Sequence, residues 1–333
     1  MTRESRITTD VDFDRDGKQQ SFLRLPHSVH RSAYGWIAIP MIVIKNGPGP
    51  TVLLTAGNHG DEYEGQLALI KLCREITPEM VRGRLVILPA VNYPAVIAGL
   101  RTSPIDDLNL NRSFPGDPDG RPTAAIAHYI ESELLEMADF AVDLHSGGSS
   151  LMYLPSSLMA VVQDGQRAAQ QLDMLRAFAA PLGYLVFPQD RTMLSAANRA
   201  GVPAIGTELG GSGTASVQSV AVAERGVRRV LKHTGSLPDI DVGEDPPPTR
   251  IMEVRGIHYY VYSPDYGMWE PLVDLGDDVQ AGQAAAAVYC PQTPWREPVL
   301  AHFTCSGTVI CRRVPGLVER GDCLFHLATD RSP

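Results

Sequence analysis

Up to residue 235, short runs dense in valine, isoleucine and leucine alternate with stretches in which apolar residues recur every three or four positions. The first kind reads as buried strand and the second as amphipathic helix. Strands are expected at Trp36 to Lys45 (WIAIPMIVIK), 51–57, within 82–94 (RGRLVILPAVNYP), at Phe140 to Leu144, Leu151 to Leu154, Tyr184 to Phe187 and Ala204 to Leu209. Helices are expected over 62–75, 124–137 and 164–181, and from a cap at Thr214 or Ser216 to about His233. The first of these would gather Leu67, Ile70, Leu72 and Cys73 on one broad face, and the last Val217, Val220, Ala221, Val227 and Leu231. Residues 1–35 are polar and mixed, an arm or edge strand that includes Phe22 to Leu25. Strands alternating with helices over this length predict an α/β sandwich with a mixed or mainly parallel central sheet. Such sheets place their sites beyond the carboxyl ends of the strands.

The pattern changes after residue 235. Residues 236–250 are acidic and carry three consecutive prolines, the composition of a linker. Beyond it no helical period survives, and short β-type runs lie at Ile257 to Tyr262, Ala284 to Tyr289, Gly307 to Cys311 and Cys323 to Leu327. Two phrases, VDLGDDVQAGQ at 273–283 and RVPGLVERGD at 313–322, share an order of apolar, turn, apolar and glycine turn. The expected organisation is therefore an α/β unit over 1–235, a proline-rich linker over 236–250, and a small all-β barrel or sandwich over 251–333 with internal pseudo-symmetry. No lysine stands at a hairpin tip of the half-repeat, so a lipoyl or biotin carrier is not supported.

Composition narrows the partners. With 44% hydrophobic residues the 333-residue chain can bury a sizeable core, and its net charge of -9 argues against nucleic acid or an anionic membrane surface. No run approaches the roughly 18 apolar residues of a membrane span, and the acidic N-terminus has no apolar signal core. Five cysteines form neither a CxxC pair nor an even set, which fits a reducing cytoplasm; Cys305 and Cys311 are expected in sheet. Self-association into a homo-oligomer stays open. Motifs for phosphate cradles (GxGxxG, GxxxxGK[ST]) and the serine-hydrolase elbow GxSxG are missing.

Candidate chemistry gathers after three of the expected strands. TVLLTAGNHGDEYE at 51–64 runs a strand into His59, Asp61 and Glu62. If Gly60 starts a helical turn, the spacing of His59 and Glu62 puts an imidazole and a carboxylate on one side, as a metal clamp needs. The same residues would also serve as a cap for helix 62–75. AVDLHSGG delivers His145, a third ligand or a satisfied core histidine, with Asp143 on the same face able to orient it. GTELGG delivers Glu208 among glycines that leave room for a substrate, a general base or else a solvent-facing carboxylate. A His, Glu, His set would leave a tetrahedral zinc one open position, as catalytic sites do. The loop 99–122 is long for a compact domain, and a loop of that length usually has a function. Its Asn111 and Arg112, with Asn109 nearby, could bind a substrate carboxylate, and Arg101 could stabilise an oxyanion; the arginines could instead anchor the loop.

Four phrases in order, GNHGDEYEG at 57–65, NLNRSFPG at 109–116, DLHSGG at 143–148 and TELGG at 207–211, resemble the succinylglutamate desuccinylase and aspartoacylase family. These are zinc amidohydrolases on a carboxypeptidase-type fold with a C-terminal β domain. The resemblance implies one zinc ion per chain on His59, Glu62 and His145, Glu208 as general base, and Asn111 with Arg112 on the substrate carboxylate. It places an oxyanion arginine earlier in the same loop, where Arg101 is the available residue at a looser spacing. The wording NYPAVIAGLRTSPIDDLNLNRSFPGDPDG is most similar to a branch that deacetylates N-alpha-acetyl-L-2,4-diaminobutyrate in ectoine breakdown. That likeness implies a small-molecule N-acetylated amino acid as substrate. For the substrate ammonium, Asp61, Asp190 and Asp117 are the candidate carboxylates. The competing readings are a desuccinylase, an aspartoacylase or a carboxypeptidase-like hydrolase on the same core, and a metal-stabilised binding protein without activity.

Overall fold

The computed structural model describes residues 4–187 and 189–331; of the expected N-terminal arm, Met1 to Arg3 lie outside this range. Strands β1 (Gly17–Pro26) and β2 (Trp36–Asn46) pair antiparallel from Gly17↔Lys45 to Pro26↔Trp36. In β2 the period of two sends Ile37, Ile39, Met41 and Val43 into one apolar core, while Ile44 is buried in the core on the opposite face. β3 (Thr51–Ala56) is buried at every position, because Val52 and Leu54 pack on one face while Leu53 packs on the other. Both faces of the sheet are thus covered.

On the first face lie α1 (Tyr63–Glu75), α4 (Gly165–Phe178) and α6 (Val217–His233). Between α1 and α4 the chain forms β4 (Gly83–Leu88), the short α2 (Tyr93–Ala98), α3 (Pro122–Tyr129), β5 (Phe140–Leu144), β6 (Leu151–Tyr153) and β7 (Ser156–Ala160). Then β8 (Leu182–Val186), α5 (Met193–Ala200) and β9 (Ala204–Glu208) precede α6. α3, its π-helical continuation Ile130–Leu135, and α5 cover the second face. The result is an α/β/α sandwich.

β3, β5 and β9 lie side by side and parallel, with Ala56↔Leu144 and Asp143↔Gly206 in register. Their carboxyl ends therefore reach the same edge of the sheet. β7 runs antiparallel to β9, so the sheet is mixed.

The helix faces differ from the expectation in detail. In α1, Leu67 and Ile70 are exposed, and the inner face consists of Gly65, Ala68, Leu69, Leu72 and Cys73. Gly65 is required there, since a Cβ would lie 2.4 Å from that of Leu144. In α6, Val217 is 90% exposed at the first position, and Ala223, Val227, Val230 and Leu231 form the buried stripe. Of the two cap candidates it is Ser216 that closes a capping box with Ser219. β7 and α5 had no expectation, since SSLMA reads as a polar turn and MLSAANRA has too few large apolar residues to show a period.

The remaining strands are β10 (Arg250–Val254), β11 (Tyr260–Tyr262), β12 (Gly267–Pro271), β13 (Asp278–Val279), β14 (Ala284–Tyr289), β15 (Val299–His302), β16 (Gly307–Arg313), β17 (Leu317–Val318) and β18 (Cys323–Asp330). β15, β14, β12 and β17 form a small antiparallel sheet, and a third apolar core lies against it. The half-repeat is visible as geometry. Gln280 N donates to Gln283 Oε1 at 3.0 Å, and Glu319 N to Asp322 Oδ2 at 2.9 Å, each beside a glycine with positive φ and after a buried valine. Two seams tie this part to the first: β10 extends the main sheet parallel to β8, and β16 pairs antiparallel with β6. Cys311 is in β16, whereas Cys305 lies in the bend before it; all five cysteines are unpaired. Among the described residues no helix is long and apolar enough to cross a membrane.

Gly226 faces Phe178 across the α4–α6 contact, where a Cβ would lie 2.4 Å from the ring. Helix propensity alone would make Gly226→Ala stabilising by about 0.5–1 kcal/mol. Overpacking against the fully buried Phe178 reverses the sign, and we expect a loss of about 1–3 kcal/mol in urea unfolding. Adding Phe178→Leu should recover part of that loss.

Candidate active site

β3 ends at Ala56, and the chain turns before α1 begins at Tyr63. The turn is not helical: Glu62 is the residue before the helix, with extended φ/ψ of -110° and 95°. His59 and Glu62 meet across this turn rather than along a helix face. Gly60 makes the turn fit, because a Cβ there would lie 1.9 Å from the Ala95 carbonyl oxygen of α2.

The Glu62 carboxylate stands between two imidazoles. Its Oε1 is 2.6 Å from His59 Nδ1 and its Oε2 is 2.9 Å from His145 Nδ1. His145 leaves the end of β5, where its backbone N donates to Thr207 Oγ1 on the neighbouring β9. The far nitrogen of each ring is occupied. His145 Nε2 is 2.7 Å from Asp143 Oδ2, and His59 Nε2 is 3.1 Å from Asn109 Oδ1. Asp143 is itself held by Thr55 Oγ1 at 2.7 Å and by Asn58 Nδ2 at 3.4 Å. With a metal on the Nδ1 side, acceptors on the far nitrogens would hold the ring protons there and leave the Nδ1 lone pairs to the metal.

Ligand atoms of His59, Glu62 and His145 all lie within 4.8 Å of one another, in the one such group of three among the described residues. The donor set is two imidazoles and one carboxylate, each supported from behind, and it fits a catalytic zinc. The charges agree. Burial raises the Glu62 carboxyl, but His59 and then His145 outweigh it and hold it well below the usual carboxylate range. Burial works against protonation of His145, and Asp143 and Glu62 overcome it and raise its pKa.

Glu208 closes β9 on the same edge. Burial, reinforced by the charge of Glu62, pushes its carboxyl well above the ordinary value. Its Oε2 is buried and has no hydrogen-bond partner. A carboxylate in that condition is ready to take and return a proton.

These groups line one cavity of about 420 Å³, a size that suits a small metabolite. Arg101 enters it from the loop, with Nη1 3.6 Å from Glu62 Oε1 and 3.4 Å from His59 Nδ1. Arg112 lines the same cavity, and burial followed by the nearby charge of Arg101 lowers its pKa. Two guanidiniums converging in this way favour an anion between them. Asn111 is anchored, accepting from Met193 N at 2.9 Å, and its Nδ2 is 3.5 Å from His145 Nε2. The loop itself is ordered by Asp106, whose carboxylate accepts from Thr123 N and Thr123 Oγ1.

Some expected residues stand elsewhere. Asn109 backs His59 instead of facing the cavity, and none of Asp61, Asp117 or Asp190 lines it. Asp61 accepts from Ser149 N at 2.7 Å, which ties the 57–62 turn to the loop after His145. Sequence reasoning passed over Glu64, Tyr153, Tyr184, Tyr260 and His326. Glu64 is buried in the first turn of α1 and packs against the loop after Glu208, where a Cβ on Gly210 would lie 2.8 Å from its Oε1. One signal was available for His326: it interrupts the apolar run of β18.

Comparison with known proteins identifies relatives of the chain. Residues 48–234 match the family model described as the succinylglutamate desuccinylase/aspartoacylase catalytic domain. The chain is 42% identical over 329 residues to the N-alpha-acetyl-L-2,4-diaminobutyric acid deacetylase of Halomonas elongata, covering 98% of this chain and 96% of that protein. Among solved structures it is similar to the product-bound ectoine utilization protein EutE (DoeB) of Ruegeria pomeroyi, with a TM-score of 0.92 and 42% identity over 98% of this chain and 99% of that one. It is also similar to a succinylglutamate desuccinylase/aspartoacylase of Rhodobacter sphaeroides, with a TM-score of 0.94 and 39% identity over 99% of this chain and 100% of that one.

Two outcomes are expected. Asp143→Asn should weaken zinc binding by about 10–100-fold in chelator competition, because His145 loses the acceptor that fixes its ring. Burial alone holds His326 down to about 3, so the folded protein excludes a proton that the unfolded chain accepts near 6.5. Its stabilising effect is complete above about pH 6.5 and is lost toward pH 3 at up to about 1.4 kcal/mol per unit. The stability difference between wild type and His326→Phe should therefore change with pH across that window and be constant above it.

Proposed function

This chain belongs to the succinylglutamate desuccinylase/aspartoacylase family, and from that premise we propose that it deacetylates N-alpha-acetyl-L-2,4-diaminobutyrate, releasing acetate and L-2,4-diaminobutyrate. The observation that carries this reading is the likeness to the Halomonas deacetylase along almost the whole of both chains, the cavity-lining strands of the C-terminal part included. The His59, Glu62 and His145 cluster supports a zinc-dependent hydrolase and one zinc per chain. The substrate is a small acylated amino acid of the kind handled in ectoine degradation. Unpaired cysteines throughout support a cytoplasmic setting. Residues 1–235 are read as the hydrolytic unit, 236–250 as a link and 251–333 as the β domain that walls the cavity.

Bound zinc would lower the pKa of water and polarise the acetamide carbonyl. The protein's own residues do the rest. Glu208 Oε2, which has no other partner, accepts the proton of the attacking water as its oxygen bonds to the carbonyl carbon. Arg101 stands beside Glu62 and donates to the oxyanion that develops. When the C–N bond breaks, Glu208 returns the proton to the amine nitrogen. Arg112 receives the amino-acid carboxylate in a planar two-point grip, and Asn111, pinned by Met193 N, sets the edge of that subsite. Asp143 orients His145 from behind.

A desuccinylase needs a second cationic partner for the distal acyl carboxylate. Arg101 and Arg112 are the lysine or arginine side chains lining the cavity among the described residues, and both already have roles in deacetylation. Glu208→Gln should keep a full complement of zinc and lose about 10²–10⁴-fold in turnover, measured by acetate and amine release. Undiminished turnover would remove Glu208 as the base, and preference for a succinylated amino acid across an acyl panel would remove the acetyl assignment.

A further inference from the structure

The substrate of the proposed reaction carries a primary ammonium two carbons beyond its α-carbon, and a deacetylase selective for it must recognise that charge. The cavity offers no spare carboxylate. Among the described residues its acidic lining consists of Glu62, Asp143 and Glu208, of which the first two are engaged with the histidines and the third is the base. The candidate acids of the surrounding loops do not reach it.

Away from the metal ligands the cavity wall is aromatic. Tyr260 of β11 stacks on His326 of β18 with ring centroids 4.1 Å apart and planes 9° apart. Tyr153 and Tyr184 meet the same imidazole edge-on, at 6.1 Å and 86° and at 6.2 Å and 90°. All four residues line the cavity. His326 is 3% exposed, and neither of its ring nitrogens has a hydrogen-bond partner. A buried imidazole without partners carries a desolvation cost that an incoming donor would recover.

We propose that this tyrosine and histidine wall is the subsite for the side-chain ammonium of the diamino acid, with His326 as acceptor and the tyrosine rings as electron-rich faces. The assignment rests on the deacetylase reading above. An ammonium has three donors and no acceptor, so a neutral imidazole nitrogen suits it, and aromatic faces attract the cation in a desolvated pocket. The wall has the required neutrality. Burial keeps His326 unprotonated, and burial above all keeps the three phenols protonated. Glu208 lines the same cavity, so the wall and the base share one enclosure. Tyr260 and His326 come from the C-terminal β strands, which gives that part of the chain a role in specificity.

The test compares zinc-loaded wild type with His326→Phe, which keeps the ring stack and removes the acceptors. N-alpha-acetyl-L-2,4-diaminobutyrate is assayed against N-acetyl-L-norvaline, which has the same length without the charge. The expected result is a fall of about tenfold or more in the kcat/KM preference for the charged substrate, expressed through its KM. Calorimetry should show L-2,4-diaminobutyrate binding weakened by a similar factor and norvaline binding weakened less. A folded variant that keeps the wild-type preference overturns the assignment. So does an equal loss on both substrates, which would make the wall structural, or a larger loss on norvaline, which would make it an apolar pocket. If His326→Phe does not fold, Tyr260→Leu carries the same expectation and the same overturning results. A wild type selective for succinylated substrates would overturn the deacetylase reading and this assignment together.

Discussion

A carboxylate held between two imidazoles at the end of a buried strand is the constraint around which the molecule is arranged. Glu62 is almost fully buried, and an ionised carboxylate there is costly unless charge and hydrogen bonds surround it. His59 and His145 supply that surrounding, and Ser146 N adds a third contact at 3.1 Å. The supply depends on position. His145 reaches Glu62 because β5 lies parallel and in register with β3, and its backbone is fixed by Thr207 on β9. A slip of one residue in either pairing would turn these side chains to the opposite face. The depth of the parallel strands, covered by helices on both sides, is what makes such a slip expensive.

A second layer of residues converts that cluster into a site. Asp143 and Asn109 occupy the far imidazole nitrogens, Asp61 ties the 57–62 turn to Ser149, and Glu64 packs against Gly210 in the loop after Glu208. Asp61 and Glu62 within DEYE thus serve different ends, one as a tie between loops and the other as a candidate ligand. The loop 99–122 is held by Asp106 and by Asn111 on α5, and so presents Arg101 and Arg112 from ordered backbone. Ordering that loop within the fold lowers the entropy lost when substrate binds.

The C-terminal strands complete the enclosure. β10 continues the central sheet beside β8 and β16 takes β6 as a partner, so Tyr260, Cys323 and His326 arrive at the cavity as part of a rigid seam. The repeated glycine turns after Val279 and Val318 carry the chain between the large and small sheets with near-identical hydrogen bonds, and the core against the small sheet is separate from the two cores of the sandwich.

Much of this was readable from the chain alone, for a physical reason. Strand period, turn residues and ligand types are local properties, so β2, β3, β5 and β9, the cap at Ser216, and the set His59, Glu62, His145 and Glu208 each have a local signature. Where the local pattern was ambiguous, tertiary structure decided. Leu67, Ile70 and Val217 face solvent because close helix–sheet packing selects the small residues beside them, and His59 meets Glu62 across a turn rather than along a helix. β7 and α5 had too little periodicity to register at all. The aromatic wall belongs wholly to tertiary structure. Tyr153, Tyr184, Tyr260 and His326 come from four strands spread over the sequence, and only the long-range pairing of β6 with β16 and of β10 with β8 and β18 brings them to one imidazole.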